Sequence, residues 1–170
     1  GILQDLHIFQ LVKIFINFVL FLAGLFLGAY WIGHKYCLKL TNSEIIANKH
    51  LHMIRLYDIW MMTKENGNSI EEYLKRNEIQ TIAIYGMSYM GIRLFHELKN
   101  TGIHIKYGLD CNPKMRLKGL DILDLKNIEK CDVDAVIVTA IFSFDEIKQN
   151  LEKAGFANVI ALDEILYNFI

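Results

Sequence analysis

TIAIYGMSYMG, residues 81–91, is the stretch on which the fold turns. A short apolar run ends in Gly86, and a second glycine, Gly91, follows five positions later. The run carries no charge, so it reads as a strand buried on both faces, as in a parallel sheet covered on two sides. Gly86 then permits a tight strand-to-helix turn, and Gly91 lets the following helix approach the sheet closely. The spacing predicts a helix from Gly91 to Lys99, with Ile92, Phe95 and Leu98 on one face, stopped at Gly102.

The same alternation continues toward the C-terminus. IHIKYGLD (103–110) is a second strand, DAVIVTA (134–140) a third, and NVIAL (158–162) a last one before the closing helix DEILYNFI. Ser143 and Glu146 have capping-box spacing ahead of another helix, which Gly155 ends. Between Lys118 and Lys130 a short edge strand near Leu120 and a turn of helix at 125–129 are expected. Upstream, Ser69 and Glu72 form a capping box for the helix IEEYLKRN. Strands alternating with helices specify an α/β domain: a small doubly wound parallel sheet of four or five strands.

Toward the N-terminus the composition changes. Ile14 to Gly33 reads IFINFVLFLAGLFLGAYWIG, twenty residues without a charge. As a helix this spans roughly 30 Å, the thickness of a bilayer's hydrocarbon core. Tyr30, Trp31 and Tyr36 gather at its far end, where amphipathic rings favour the interface. Lys35, Lys39, Lys49 and Arg55 follow it against Lys13 before it, so the positive-inside bias places the C-terminal side in the cytoplasm. Gly24 and Gly28 have the spacing that lets two membrane helices pack closely, which leaves a homodimer open.

Residues 41–66 form the link. Thr41 and Glu44 have capping-box spacing and Asn66-Gly67 supplies a stop, predicting a separate connecting helix. Ile46, His50, Met53, Tyr57, Trp60 and Lys64 make a seam, while Leu51, Leu56, Ile59 and Met62 decorate its other sides. A helix apolar nearly all round needs cover from its own domain, the membrane surface, a sister chain or a larger membrane partner. The expected organisation is a transmembrane anchor over 1–36, a connecting helix over 37–68 and the α/β domain over 69–170.

The composition agrees with this and removes alternatives. Hydrophobic residues make up 53% of the 170, and mean hydropathy is +0.24, which excludes a disordered chain. Cys37, Cys111 and Cys131 are widely spaced with no C-x-x-C pair, which excludes a disulfide scaffold or zinc knuckle. A net charge of -1 provides no basic field for nucleic acid.

The chemistry lies at the turn. G-x-S-x-x-G stands where the dinucleotide fingerprint has G-x-G-x-x-G, and Asp110 lies 24 residues after Gly86. Amides opening the helix after Gly86 would point at a phosphate, whose charge suits the helix dipole. Asp110 would accept from a ribose diol, or else form an Asx turn with Asn112-Pro113. Ser88 replaces the glycine that allows closest approach of a pyrophosphate. Thr139 would border the same crevice; Lys114 and Arg116 are within reach of a phosphate, or are solvated loop charges.

IAIYGMSYMGIRLFHELKNTGIHIKYGLDCNPK, with DVDAVIVTA and NVIALDEIL, resembles the Rossmann-like nucleotide-binding domains of bacterial surface-polysaccharide proteins. These are the N-terminal domains of membrane-bound nucleotide-sugar dehydratases and epimerases, and those of sugar acyltransferases. The likeness covers about residues 78–166. It implies Gly86, Ser88, Gly91 and Asp110 as nucleotide-binding residues, a UDP-sugar or NAD(P) as ligand, and the bacterial inner membrane as location; Met87 within the turn and Thr139 beside the crevice complete the expected set.

Catalytic signatures of those families are missing. None of the eight tyrosines has a lysine four positions later, and no hexapeptide repeat, P-loop lysine or nucleophile elbow occurs. The expectation is therefore an accessory or regulatory subunit that binds a nucleotide or nucleotide sugar. The alternatives are a ligand-free scaffold and an oxidoreductase or nucleotide-sugar-modifying enzyme completed by another chain.

Overall fold

Five apolar runs pair side by side to form one parallel sheet. The computed structural model describes residues 2–112, 116–128 and 132–170. Within them are α1 (Ile2–Glu65), α2 (Ile70–Arg76), β1 (Thr81–Tyr85), α3 (Tyr89–Leu98), β2 (His104–Leu109), β3 (Ile122–Leu123), β4 (Ala135–Val138), α4 (Phe144–Lys153), β5 (Val159–Ala161) and α5 (Leu162–Tyr167). Single 3-10 turns occupy Leu125–Asn127 and Ile141–Ser143. The strand order is β3-β2-β1-β4-β5, every pairing parallel. That is the order of a Rossmann-like doubly wound sheet, and it reverses direction between β1 and β4.

Period-two alternation sorts the strand residues onto two buried faces. Ile82, Ile84, Ala135, Ile137 and Ile160 face α2, α3, α5 and the end of α1, through Ile70, Leu74, Leu94, Leu98, Ile165, Leu56 and Trp60. Ala83, Tyr107, Leu109, Val136 and Val138 face the other way, onto Ile147 and Leu151 of α4. The β1-to-β2 crossover through α3 and the β4-to-β5 crossover through α4 therefore lie on opposite faces.

Capping chemistry decides some boundaries and not others. Ser69 and Glu72 close the expected capping box, each side chain taking the other's backbone N–H at 3.2 Å. Ser143 does not cap α4; a 3-10 turn precedes the helix there, and the hydroxyl makes no cap bond. Thr41 starts no helix. Its hydroxyl donates to Cys37 O at 3.0 Å inside a helix that runs unbroken from Ile2 to Glu65, so the expected anchor and connecting helices are one element. The hydroxyl has an acceptor one turn back, and capping-box spacing alone does not break a helix whose neighbours stay helical.

The chain divides into two compact units, Gly1–Leu51 and His52–Ile170. In the first, α1 is long and apolar enough to cross a membrane, and its side chains from 7 to 51 are exposed. Lys13 lies over the Phe9 ring at 4.9 Å and Lys35 over Trp31 at 4.7 Å, just outside the two ends of the uncharged run. Such pairs keep a cation beside amphipathic surface at the edge of an apolar segment. The second unit holds the sheet and its helices.

Candidate functional site

The reversal of strand order puts the ends of β1, β2 and β4 together, and with them Gly86, Asp110 and Thr139. Gly86 has φ +90°, a left-handed conformation that only glycine adopts without strain. A Cβ there would lie 2.9 Å from Thr139 Oγ1. Gly91 is tighter still: its Cβ would meet Gly86 O at 2.2 Å. The two glycines thus do what their spacing predicts: one makes the turn and the other brings α3 against it.

Thr139 and Met87 act inside this turn. Thr139 is 3% exposed, and its hydroxyl donates to Tyr85 O and Gly86 O while its N–H bonds Tyr85 O at 2.9 Å. The side chain clamps the turn from β4. Met87 is fully buried, its thioether seated over Gly108, where a Cβ would lie 3.0 Å from Met87 Cγ and Sδ.

Asp110 stands across the turn from the start of α3. Its Oδ2 accepts the Met87 N–H at 2.8 Å, and its Oδ1 accepts the Asn112 N–H at 2.8 Å. The second bond is the Asx turn weighed against a ribose role, and the first ties β2 to the glycine turn. Each oxygen keeps a further lone pair. Ser88 is the N-cap of α3 in extended conformation, exposed, and its hydroxyl makes no cap bond. First-turn amides of a helix lack acceptors within it, so the opening of α3 offers donors to an anion.

The surrounding charge is mixed. Burial first, then nearby Cys111, Asp110, Asp124 and Glu146, push the Tyr85 hydroxyl's pKa upward. Beyond Thr139 a hollow of about 400 Å³ is lined by Phe142, Ser143, Asp145, Glu146 and Asp163 among others. Arg116 is exposed, and Lys114 lies outside the described residues. An anionic ligand would therefore depend on the α3 amides, beside a largely acidic sheet edge.

Sequence reading missed other contacts. Asp134 holds the start of β1 by accepting from the N–H groups of Gln80 and Thr81 at 2.9 and 2.7 Å. Trp60 donates to Glu97, 37 residues away, at 2.8 Å. The seam through Tyr57, Trp60 and Lys64 was the available signal, but it does not show which element receives it. No protein-family model matches the chain, and no curated protein is significantly similar to it. Of the resemblance across residues 78–166, the structure bears out a parallel five-stranded sheet compatible with a Rossmann-like fold.

Proposed function

We propose that this chain is a single-pass membrane protein whose Rossmann-like domain binds a nucleotide or nucleotide sugar. It serves as an accessory or regulatory subunit of a membrane assembly that makes bacterial surface polysaccharide. One observation carries the reading: α3 opens without a side-chain cap at the reversal of strand order, facing a carboxylate at the end of β2. In open α/β sheets this is where ligands bind. The uncharged run of α1 supplies the anchor, and the cations after it favour a cytoplasmic domain at the inner membrane. The assembly and its bacterial setting rest on the family resemblance alone. Binding would displace nothing from Asp110 that a ribose hydroxyl could not share, since each oxygen holds one N–H.

Calorimetric titration of the full chain in detergent with UDP-sugars, NAD(H) and NADP(H) tests this. Ser88→Asp places a carboxylate where the phosphate would sit and caps α3 itself, so binding should fall at least about tenfold with stability retained. A ligand that binds both proteins equally removes the proposed site.

A second reading has an observation of its own. Thr139, Met87 and both Asp110 oxygens are already engaged in holding the turn together. A ligand-free scaffold would need no more, and absence of binding by every compound in the titration favours it.

A further inference from the structure

Where the uncharged run of α1 gives way to polar sequence, one side of the helix forms an open groove of about 390 Å³. Trp31, Lys35 and Lys39 follow one another at four-residue steps and make one wall; Ile32 and Tyr36 make the other. Trp31 and Tyr36 are 64% and 65% exposed, and both lysines are exposed. Lys35 Nζ lies 4.7 Å from the centre of the Trp31 ring, so its side chain lies back along the aromatic surface toward the run.

Charge sets this stretch apart. No aspartate or glutamate occurs between Asp5 and Glu44, and Lys35 and Lys39 make no ion pair among the described residues. Two cations thus stand beside two amphipathic rings, and their own helix supplies no counter-charge. Depth agrees with a bilayer surface. At about 1.5 Å per residue, Lys35 and Lys39 rise roughly 3 and 9 Å beyond Gly33, where the run ends. Head groups add about 5–8 Å to each side of a hydrocarbon core, so the two lysines bracket that layer.

We propose, resting on the membrane-spanning reading of α1, that this face selects anionic phospholipids and gathers their head groups in the cytoplasmic leaflet. The lipid phosphate meets Lys35 and Lys39, the Trp31 indole N–H and the Tyr36 hydroxyl donate to ester oxygens, and an acyl chain lies along Ile32. Charge complementarity favours this occupant. A zwitterionic head group offsets its phosphate with its own cation, whereas an anionic one keeps its net charge for the lysines. An apolar partner helix on the same face would cover both lysines without supplying a counter-charge.

The chain has two tryptophans, Trp31 and Trp60, so Trp60→Phe leaves Trp31 as the sole reporter. Full-length Trp60→Phe protein is reconstituted in vesicles of phosphatidylcholine and phosphatidylglycerol, with bromine on the acyl chains of one lipid or the other. Bromine quenches indole emission only near contact, so the two series report which lipid lies against Trp31. Brominated phosphatidylglycerol should quench beyond its mole fraction, with at least about threefold higher relative affinity. Lys35→Gln with Lys39→Gln should bring that ratio to about one, and about 1 M salt should lower it by screening. Lys13→Gln, at the other end of the run, should leave it unchanged. Equal quenching by the two lipids overturns the lipid preference while leaving α1 in the bilayer. So does a preference that survives loss of both lysines or disappears in Lys13→Gln. No quenching by either lipid overturns the membrane span itself, and this proposal with it.

Discussion

Residues 7–51 and residues 52–63 belong to the same helix and are both rich in apolar side chains, yet their surroundings differ. Over 7–51 the side chains are exposed. From 52 onward Leu56, Trp60 and Thr63 are buried, at 0%, 5% and 2% exposure. Leu56 and Trp60 join the cluster built by Ile70, Leu74, Leu94 and Leu98. Apolar content shows that a helix needs cover; it does not show what covers it. For the second stretch the cover is the sheet's own helices. For the first, an uncharged run of twenty residues matches a bilayer in length.

Truncations along this helix sharpen the contrast most. Leu56→Ala should lower unfolding free energy by about 3 kcal/mol, through lost burial and a residual cavity. Leu51→Ala, at a side chain 47% exposed, should change it by less than about 0.5 kcal/mol. Denaturant titration of Trp60 emission in the Trp31→Phe chain in detergent measures both. Equal losses would break the distinction between the two stretches.

The glycines give the next largest effect. Gly91→Ala should cost about 2 kcal/mol, because its Cβ meets backbone, Gly86 O at 2.2 Å, which cannot rotate away. Gly24→Ala should leave the domain's unfolding midpoint unchanged, since nothing lies within 4 Å of its Cβ. The same titration reads both variants.

Caps separate the domain's own elements on a smaller scale. Ser69→Ala should cost about 1 kcal/mol, because the hydroxyl and Glu72 exchange bonds across the start of α2. Ser143→Ala should cost close to nothing, its hydroxyl making no cap bond. A loss at Ser143 equal to that at Ser69 would show that sequence spacing, rather than the observed geometry, reports the cap.

These pairs also show how far the chain was legible. Strands came through because TIAIY, AVIV and VIA are uncharged, and Gly86 and Gly91 because a turn and a close approach each require glycine. Asp110 was singled out, but spacing could not choose between a ribose and an Asx turn; the Asn112 bond shows the turn. Thr41 and Ser143 misled, because a hydroxyl with several nearby backbone partners has no unique reading from spacing. The contact of Trp60 with Glu97 was out of reach: it spans 37 residues and exists only once α1 lies against α3.

The smallest expected effect is one of pH, and it falls on the domain alone. Asp134 accepts from the Gln80 N–H and the Thr81 N–H, which holds its carboxyl below the usual carboxylate range. Glu71 is held low as well, by its bond to Lys75 and then by the Gly102 N–H. A folded pKa below the unfolded value means stability that is complete above the unfolded value and lost as pH falls through the folded one. With ordinary carboxylates near pH 4, the loss should set in below about pH 4. Asp134→Asn should flatten this acid limb, and Asp134→Asn with Glu71→Gln should flatten it further, as read by Trp60 emission at stepwise pH. Residues 7–51 carry a single carboxylate, Glu44, which makes no ion pair among the described residues. Far-ultraviolet helicity from that stretch should therefore persist through the range in which the domain loosens. Parallel acid limbs in the parent and the double variant would mean that the two N–H bonds to Asp134 contribute nothing to holding β1 and β4 in register.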